Sequence, residues 1–360
     1  MVVVDHAAGK VLEECVASLP HDLHVVVVDN AVPPGRTRRA LEMPGADDTH
    51  PTDDTRSAHD KHPAHHKHPP VWKHDVDVIE VGANLGYGSG ANRGAAACTA
   101  EFVLVSNPDI VFEPQTLGRL ADVLRARPDL GIVGPRVNEP DGTRYPSARR
   151  FPSLLEGAGH ALAGLLAPNN RFTRRYRMVN LETQSPESPE SSESLTEVDW
   201  VSGSCMLVRR KTFEELGGFD ESYFMYGEDV DLCWRAHRAG WGVAYVPGAS
   251  VTHVGGFSTR QTPYRMIAAH HRSTLRFASR TLAGPKRLAL PGIALALSVR
   301  FAMAVVREPF RKQSGGQPGG QSAERQGRPP ATEHGGFQTS SQVTEPGSNA
   351  GASDQTAGDD

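Results

Sequence analysis

The first third of the chain alternates short apolar runs with a helical pattern, and this alternation limits the possible folds more than any other feature. Short strands are predicted for four segments rich in valine and other apolar residues, namely 2–4, 24–29, 76–81 and 102–106. The continuous valine run in residues 24–29 is typical of a strand buried on both faces of a parallel sheet. Residues 11–19 carry apolar side chains at helical spacing. The pattern predicts a doubly wound mixed α/β sheet, with ligands at the carboxyl ends of its strands.

Three polar segments interrupt or follow this pattern. Residues 43–74 combine Asp and Pro with seven histidines, namely His50, His59, His62, His65, His66, His68 and His74. A metal-binding tract and a solvated loop both fit such a composition, and the irregular spacing favours the loop. Residues 181–196 are predicted to form a second polar loop. Residues 313–360 contain few apolar side chains and are expected to be disordered, leaving residues 1–259 as the main domain.

Charge is distributed very unevenly along the chain. Residues 1–259 carry a net charge of -10, whereas residues 260–312 carry +10. The basic block also holds the most apolar stretch, residues 288–306, which Pro291 and Arg300 interrupt. This stretch is a poor candidate for a bilayer-spanning helix. It suits either an interfacial helix or a helix packed on the domain, and a basic block of this kind needs an anionic partner, such as a membrane surface or a nucleic acid.

The cysteines and the first residues of the chain bear on the cellular compartment. Cys15, Cys98, Cys205 and Cys233 are scattered and form no CxxC pair, which fits a reducing compartment. Met1 leads straight into a valine run, without the basic region and cleavage site of a secretory signal. We therefore expect a cytoplasmic location.

Two predicted strands are followed by residues suited to binding a nucleotide. Asp29 ends the second strand, where its carboxylate can accept hydrogen bonds from a base or a ribose, although it is equally suited to a turn. Residues 84–94 are glycine-rich and precede a helix predicted to begin near Asn92. Glycines permit close approach of the backbone to a ligand, and a helix start offers N–H groups to phosphate. On its own this motif is weak, because its glycine spacing does not match the dinucleotide-binding pattern.

A metal site is suggested by a turn after the fourth strand. Asn107, Pro108 and Asp109 lie at the carboxyl edge of the sheet, where Asp109 can bind Mg²⁺ or Mn²⁺ and Asn107 can add a neutral oxygen. Their sequence is also good turn chemistry. His253 follows a late strand, and we expect it to complete the site with Asp109.

A cluster of carboxylates marks the start of another predicted helix. Glu228, Asp229 and Asp231 fall in its first turn, where the helix dipole favours their charged forms. A charged Asp is a suitable base toward a sugar hydroxyl. Asp231 is four residues before Arg235, so we interpret Asp231 as one member of an ion pair.

Taken in order, these segments resemble glycosyltransferase family 2 with its GT-A fold, and most closely its rhamnosyltransferase-like branch. The resemblance runs from Val2 to about residue 280, apart from the two polar insertions. It implies a Rossmann-like nucleotide-binding half and an acceptor half. It also implies that Asp109 and His253 bind the metal and that Asp229 is the catalytic base, with Glu228 as the next candidate. The implied nucleotide-binding residues are Asp29, Asn84, Gly86, Gly88, Asn92, Asn107 and Gly203.

The resemblance implies inverting transfer of a rhamnose-like sugar from a dTDP-, UDP- or GDP-sugar in cell-wall or polysaccharide assembly. The implied acceptor is a polyprenyl-diphosphate-linked or other glycan, reached at the inner face of the plasma membrane. Two alternatives stay open at this point. The glycine-rich segment also suits a nucleotide-dependent oxidoreductase, and the basic and His-rich segments suit a non-enzymatic binding protein. Nucleic acid is not expected as a partner, because the basic block lacks interleaved aromatic side chains.

Overall fold

The structure is a computed structural model, and it describes residues 1–20, 23–35, 37–38, 41, 74–151, 195–255 and 263–314. The chain divides into two compact units, Met1–Pro309 and Phe310–Asp360. The predictions for the His-rich tract before His74, for residues 181–194 and for the tail after residue 314 lie outside the described residues.

The amino-terminal half contains the elements that the valine runs predicted. In chain order they are β1 (Val2–Asp5), α1 (Lys10–Ala17), β2 (His24–Asp29), β3 (Asp75–Glu80), α2 (Tyr87–Ala96), β4 (Phe102–Ser106), β5 (Ile110–Phe112), α3 (Thr116–Ala126) and β6 (Leu130–Asn138). The bounds predicted for β2 and β4 are confirmed.

The carboxyl-terminal half contributes shorter strands and longer helices. Its elements are β7 (Arg144–Tyr145), β8 (Ala148–Arg149), β9 (Thr196–Glu197), β10 (Trp200–Val201), β11 (Cys205–Arg209), α4 (Arg210–Glu215), α5 (Glu228–Arg238), β12 (Gly242–His253), α6 (Pro263–Thr281), a 3₁₀ turn (Gly284–Ala289) and α7 (Leu290–Ser314).

One mixed sheet organises the domain, with strand order β3-β2-β1-β4-β11-β6-β12-β5. The first four strands in this order are parallel, and β11 runs antiparallel between β4 and β6. β12 is parallel to β6 and antiparallel to β5. The ends of β1, β2, β4, β6 and β12 therefore meet at one edge of the sheet, together with the starts of β5 and β11.

Hydrophobic cores cover both faces of the sheet. Alternate residues of β1 point to opposite sides, with Val2 and Val4 in one core and Val3 in the other. Helices α2 and α5 contribute to the first core, and α1 and α3 to the second. Full burial of each such valine or leucine side chain stabilises the fold by about 1.5–3 kcal/mol. The predicted doubly wound mixed α/β sheet is thus confirmed.

The glycine-rich segment differs from its prediction, because it forms α2 itself rather than a loop before the helix. A side chain at Gly94 would collide with Val2 of β1, and one at Gly90 would meet Val4. Glycine at these positions lets the helix lie unusually close to the sheet, and that gain in packing outweighs the cost of about 1 kcal/mol per glycine in a helix. The predicted start near Asn92 is wrong by about one and a half turns.

Helix α6 docks on the domain through charge and aromatic contacts. Arg280 binds Asp220 at 2.6 Å and Asp231 at 3.2 Å, while Arg276 approaches Asp220 at 3.4 Å. Phe277 is buried and packs on the ring of Trp234 at 6.5 Å between centroids. Part of the basic block therefore covers acidic residues of the domain. Among the described helices, none combines the length and apolar character that crossing a bilayer requires.

Candidate active site

Pairing of β5 with β12 brings Asp109 and His253 together, as the sequence predicted. Their strands run antiparallel with His253 opposite Ile110, and the Val254 N–H donates to the Asp109 carbonyl oxygen at 2.9 Å. The Nε2 atom of His253 lies 3.2 Å from Oδ1 of Asp109. Burial alone lowers the pKa of His253, but the contact with Asp109 and the charge of Glu139 raise it above its ordinary value.

This pair has the properties of part of a divalent-cation site. Apart from the 3.2 Å approach of His253, Oδ1 of Asp109 is a buried acceptor without a hydrogen-bond partner. Within the described parts of the chain, no group of three or more His, Cys, Asp and Glu side chains is placed to share a metal ion. Mg²⁺ is commonly held by only one or two carboxylates, with substrate phosphates and water completing its shell. Asp109 and His253 therefore fit a metal whose remaining ligands come from a bound diphosphate and water.

The second constellation lies at the start of α5. Two residues with positive φ, Tyr226 at 67° and Gly227 at 86°, turn the chain into the helix. Glu228 is buried, and its Oε2 atom has no hydrogen-bond partner. Asp229 differs, because it accepts 2.8 Å hydrogen bonds from the N–H groups of Gly203 and Val230. The two adjacent carboxyl groups therefore have very different support for negative charge.

Burial overrides the helix dipole, contrary to the expectation that these carboxylates are simply charged. Desolvation and the charge of Asp229 raise the pKa of Glu228 from 4.5 to about 8. Burial also raises the pKa of Asp229, but the N–H donors and the guanidinium of Arg149 oppose that rise. Donors therefore favour the charged form of Asp229, whereas Glu228 has no comparable support, so a proton held by this pair is better placed on Glu228. The prediction for Asp231 is confirmed, since it pairs with Arg235 at 2.7 Å.

Tyr87 connects the two constellations. Its hydroxyl donates to the Gly203 carbonyl oxygen at 2.5 Å, directly beside the N–H that holds Asp229. Burial and then the charges of Glu228, Asp229 and Asp109 raise the pKa of Tyr87 well above its usual range. All these groups thus lie within electrostatic range of one phenol. Asn107 is also linked to this region, because its N–H donates to the carbonyl oxygen of Ser204, the neighbour of Gly203.

Arg149 brings a positive charge to the site. Its guanidinium lies over the rings of Trp200 and Tyr145, at 5.0 and 5.4 Å from their centroids. Tyr145 in turn meets the His253 ring edge-on at 6.2 Å. A fixed positive charge thus stabilises the charged form of Asp229, and Tyr145 contacts both this guanidinium and the ring of His253.

Tyr87 and Arg149 were not predicted from the sequence, for different reasons. Tyr87 stands inside the glycine-rich motif, where a single bulky aromatic among small residues was a visible signal. Arg149 belongs to a two-residue strand that pairs with Trp200, and nothing in the local sequence distinguishes it from Arg150.

Several predicted nucleotide-binding residues have structural partners instead. Asn92 donates to the Phe219 carbonyl oxygen and accepts from the Phe219 N–H, so its amide braces the turn after Gly218. A side chain at Gly86 would collide with the Phe224 backbone, and one at Gly88 would come within 2.9 Å of Phe219. These glycines permit approach to protein rather than to a ligand, which removes the basis of the oxidoreductase alternative.

The remaining candidates lie at or near the sheet edge. Asp29 is buried and accepts hydrogen bonds from the N–H groups of Ala31 and Gly35, so it shapes the loop after β2 in the way its turn interpretation anticipated. Asn84 is exposed and its Oδ1 accepts from the Gly86 N–H at 3.1 Å. Gly203 lies against Asp229, where an added Cβ would come within 3.0 Å of that side chain.

Comparison with known proteins places this site in context. The model of the family described as "Glycosyltransferase like family 2" matches residues 64–276, more than half of the chain. An N-acetylglucosaminyl-diphospho-decaprenol L-rhamnosyltransferase of Mycobacterium tuberculosis is 44% identical over 214 residues, which cover 56% of this chain and 66% of that protein. The match thus spans just under two thirds of the length of this relative.

Two further similarities are more distant. A rhamnosyltransferase of Escherichia coli is 31% identical over 181 residues, covering 50% of this chain and 62% of its own length. Among solved structures, a mannosyltransferase from Pyrobaculum calidifontis in complex with GDP-Man and Mn²⁺ superposes with a TM-score of 0.46 and 16% identity, covering 87% of this chain and 78% of that one.

Proposed function

Because this chain belongs to glycosyltransferase-like family 2, we propose that it is an inverting glycosyltransferase. It moves a rhamnose-like sugar from a nucleotide diphosphate donor to an acceptor hydroxyl in bacterial cell-wall or polysaccharide assembly. The observation that carries the proposal is the placement of a supported, charged Asp229 and the Asp109–His253 pair at one sheet edge, both within electrostatic range of Tyr87.

Asp229 is the base in this proposal. Inversion needs a single in-line displacement at the anomeric carbon, in which the acceptor oxygen attacks while its proton leaves. The hydrogen bonds from Gly203 and Val230 fix the orientation of the Asp229 carboxylate before the acceptor arrives. Its raised pKa makes it a stronger base than an exposed Asp, and it receives the proton as the new bond forms.

The leaving diphosphate requires positive charge rather than a proton. Asp109 and His253 are the residues that would hold a divalent cation, which when bound neutralises the departing phosphates. Arg149 supplies a further, permanent positive charge near Asp229. Since the leaving group is already anionic, one carboxylate base suffices, unlike the acid and base pair of glycoside hydrolysis.

The names of the relatives support the choice of sugar and acceptor. Both the mycobacterial and the Escherichia coli relatives are rhamnosyltransferases, and the mycobacterial protein acts on a decaprenyl-diphospho-linked acceptor. We extend both properties to this chain as part of the proposal.

A lipid-linked acceptor fits the surface of the carboxyl-terminal helices. Leu288, Leu295 and Val299 are exposed by 85%, 67% and 51%, and residues 260–312 carry a net charge of +10. Apolar side chains flanked by basic ones suit the interface of an anionic membrane. We therefore propose that the enzyme works peripherally at the inner membrane face.

A screen of dTDP-, UDP- and GDP-sugars tests the function. Wild-type protein with Mn²⁺ and an N-acetylglucosaminyl-diphosphate isoprenoid should release nucleoside diphosphate from one donor class. Asp229→Asn should lower the rate by about 10²–10⁴-fold, while Asp122→Asn, which neutralises an exposed carboxylate on α3, should leave it unchanged. Release from no donor would contradict the function. Near-normal turnover in Asp229→Asn would instead move the role of base to Glu228.

A further inference from the structure

A cavity of about 360 Å³ lies between the carboxyl-terminal helices and the loop that leads into α5. Its lining residues are Tyr226, Met266, Ile267, His270, His271 and Arg300. Its volume falls at the lower end of the roughly 300–1,000 Å³ of ordinary ligand sites. None of these residues belongs to the donor side of the site at Asp109 and His253.

Tyr226 lies both in the lining of this cavity and close to the carboxyl group of Glu228. Its ring packs against His270 at 5.7 Å between centroids, and it stands two residues before Glu228. Burial and then the charges of Glu228 and Tyr145 raise the pKa of Tyr226, so the phenol lies within electrostatic range of both. A molecule in the cavity therefore contacts a residue that lies just before α5, three positions before Asp229 in the chain.

The lining combines cationic and apolar chemistry. Arg300 carries a permanent positive charge and lies close enough to His271 to help lower the pKa of that imidazole, after burial as the larger cause. The Nδ1 atom of His271 is buried without a hydrogen-bond partner. Met266 and Ile267 supply apolar surface on α6. An anionic group beside a branched hydrocarbon satisfies both parts of this lining.

Beyond the cavity, α7, the helix that carries Arg300, has exposed apolar side chains on its surface. Leu295 and Val299 are four residues apart on α7 and exposed on one side of it, whereas Phe301 contacts the ring of His271 at 6.2 Å. Arg300 therefore stands at the boundary between the packed and the exposed faces of α7. A hydrocarbon chain that is too long for the cavity can continue over Leu295 and Val299.

We infer that this cavity is the acceptor subsite, which takes the diphosphate and the first isoprene unit of a lipid-linked acceptor. Arg300 and the two histidines bind the diphosphate, and Met266 and Ile267 contact the isoprene. The attached sugar then extends past Tyr226 toward Asp229. This inference rests on the proposed function, because it assigns the place of the acceptor in that reaction.

Binding to the full-length protein tests the subsite without any turnover. Calorimetry with geranylgeranyl diphosphate, geranylgeraniol and inorganic diphosphate separates the anionic from the apolar contribution. The diphosphate lipid should bind at least about tenfold more tightly than either part alone. Arg300→Gln should weaken that binding by about tenfold or more, since it removes charge-assisted hydrogen bonds. Arg287→Gln, at an exposed position outside the lining, should change it by less than about twofold.

A cavity-filling variant and a donor measurement complete the design. Ile267→Trp should abolish binding of the diphosphate lipid, and Arg300→Gln decides the matter if the tryptophan variant does not fold. Nucleoside diphosphate binding should be equal in all variants. Absence of lipid binding to wild-type protein, or equal lipid binding by Arg300→Gln, overturns the subsite. The proposed function fails on different results, namely no donor turnover or full activity in Asp229→Asn.

Discussion

Replacing Glu228 with glutamine should stabilise the protein, although Glu228 is buried beside the proposed base. The whole residue is only 6% exposed, and its Oε2 atom has no hydrogen-bond partner. The unfolded chain releases this proton near pH 4.5, whereas the folded protein keeps it up to about pH 8. Between these values the folded state must hold a proton that the unfolded state has lost. Stability therefore falls as the pH rises through this window.

The magnitude follows from the width of the window. Each pH unit above 4.5 costs about 1.4 kcal/mol of unfolding free energy until the folded-state pKa is reached. At pH 7 the cost is about 3 kcal/mol. Glutamine has nearly the same shape and carries no proton to lose, so Glu228→Gln removes this cost. For a domain of this size the melting temperature should rise by roughly 6 °C or more near pH 7, and by much less at pH 5.

Melting curves of wild type and Glu228→Gln between pH 5 and pH 8 measure the effect. Glu14→Gln is the matched control, because Glu14 is half exposed and makes a long ion pair of 3.9 Å with Lys10. The melting temperature of this variant should follow that of wild type at every pH. Transfer activity should fall less than tenfold in Glu228→Gln, far short of the 10²–10⁴-fold loss of a removed base. A stabilisation that is independent of pH, or a loss of stability at pH 7, would refute the assignment of the proton to Glu228.

Three further predictions concern the metal, the sheet packing and the membrane. Asp109→Ala should weaken Mn²⁺-dependent binding of nucleoside diphosphate by about tenfold or more in calorimetry, with His253→Ala giving a smaller loss, and unchanged metal dependence would disprove the site. Gly94→Ala should cost about 1–3 kcal/mol by overpacking against β1, whereas Gly118→Ala, with open space around it, should be neutral or stabilising by up to about 1 kcal/mol. Binding to liposomes should need anionic lipid, weaken with salt and disappear when the chain is cut after Gly284. Equal binding to neutral vesicles would contradict the last prediction.

Most of the fold was predictable because three of the parallel strands, β1, β2 and β4, are almost entirely buried. Such strands are nearly continuous valine runs, so β2 and β4 could be bounded to the residue. The bounds of α2 could not be predicted, because its glycines are required by close packing on the sheet and are unfavourable for a helix by propensity. Only the positions of Val2 and Val4 explain why Gly90 and Gly94 lack side chains.

Site residues could be predicted where reactive side chains lie directly after a strand or at the start of a helix. Asp109 and His253 are neighbours because antiparallel pairing of β5 and β12 puts His253 opposite Ile110, the residue after Asp109. The strand before His253 was predicted from the sequence, whereas β5 was not. The role of Asn92 in nucleotide binding stays a prediction, because a side-chain amide suits a nucleotide and a turn equally well, and in the structure this amide binds the Phe219 backbone. The protonation of Glu228 depends on burial, which no local pattern reveals.

The distribution of charge explains why the proton on Glu228 matters for the proposed reaction. A donor diphosphate brings two or more negative charges toward Asp229, and a second ionised carboxylate beside it would oppose donor binding. With Glu228 neutral, the α5 start presents one negative charge, which Arg149 and the N–H groups of Gly203 and Val230 balance. Asp229 can then remain ionised next to an anionic substrate without repelling it. The acceptor side obeys the same requirement, since Arg300 places a positive charge at the entrance through which a second diphosphate would arrive. Each anionic substrate is therefore matched by a cationic side chain, Arg149 on the donor side and Arg300 on the acceptor side.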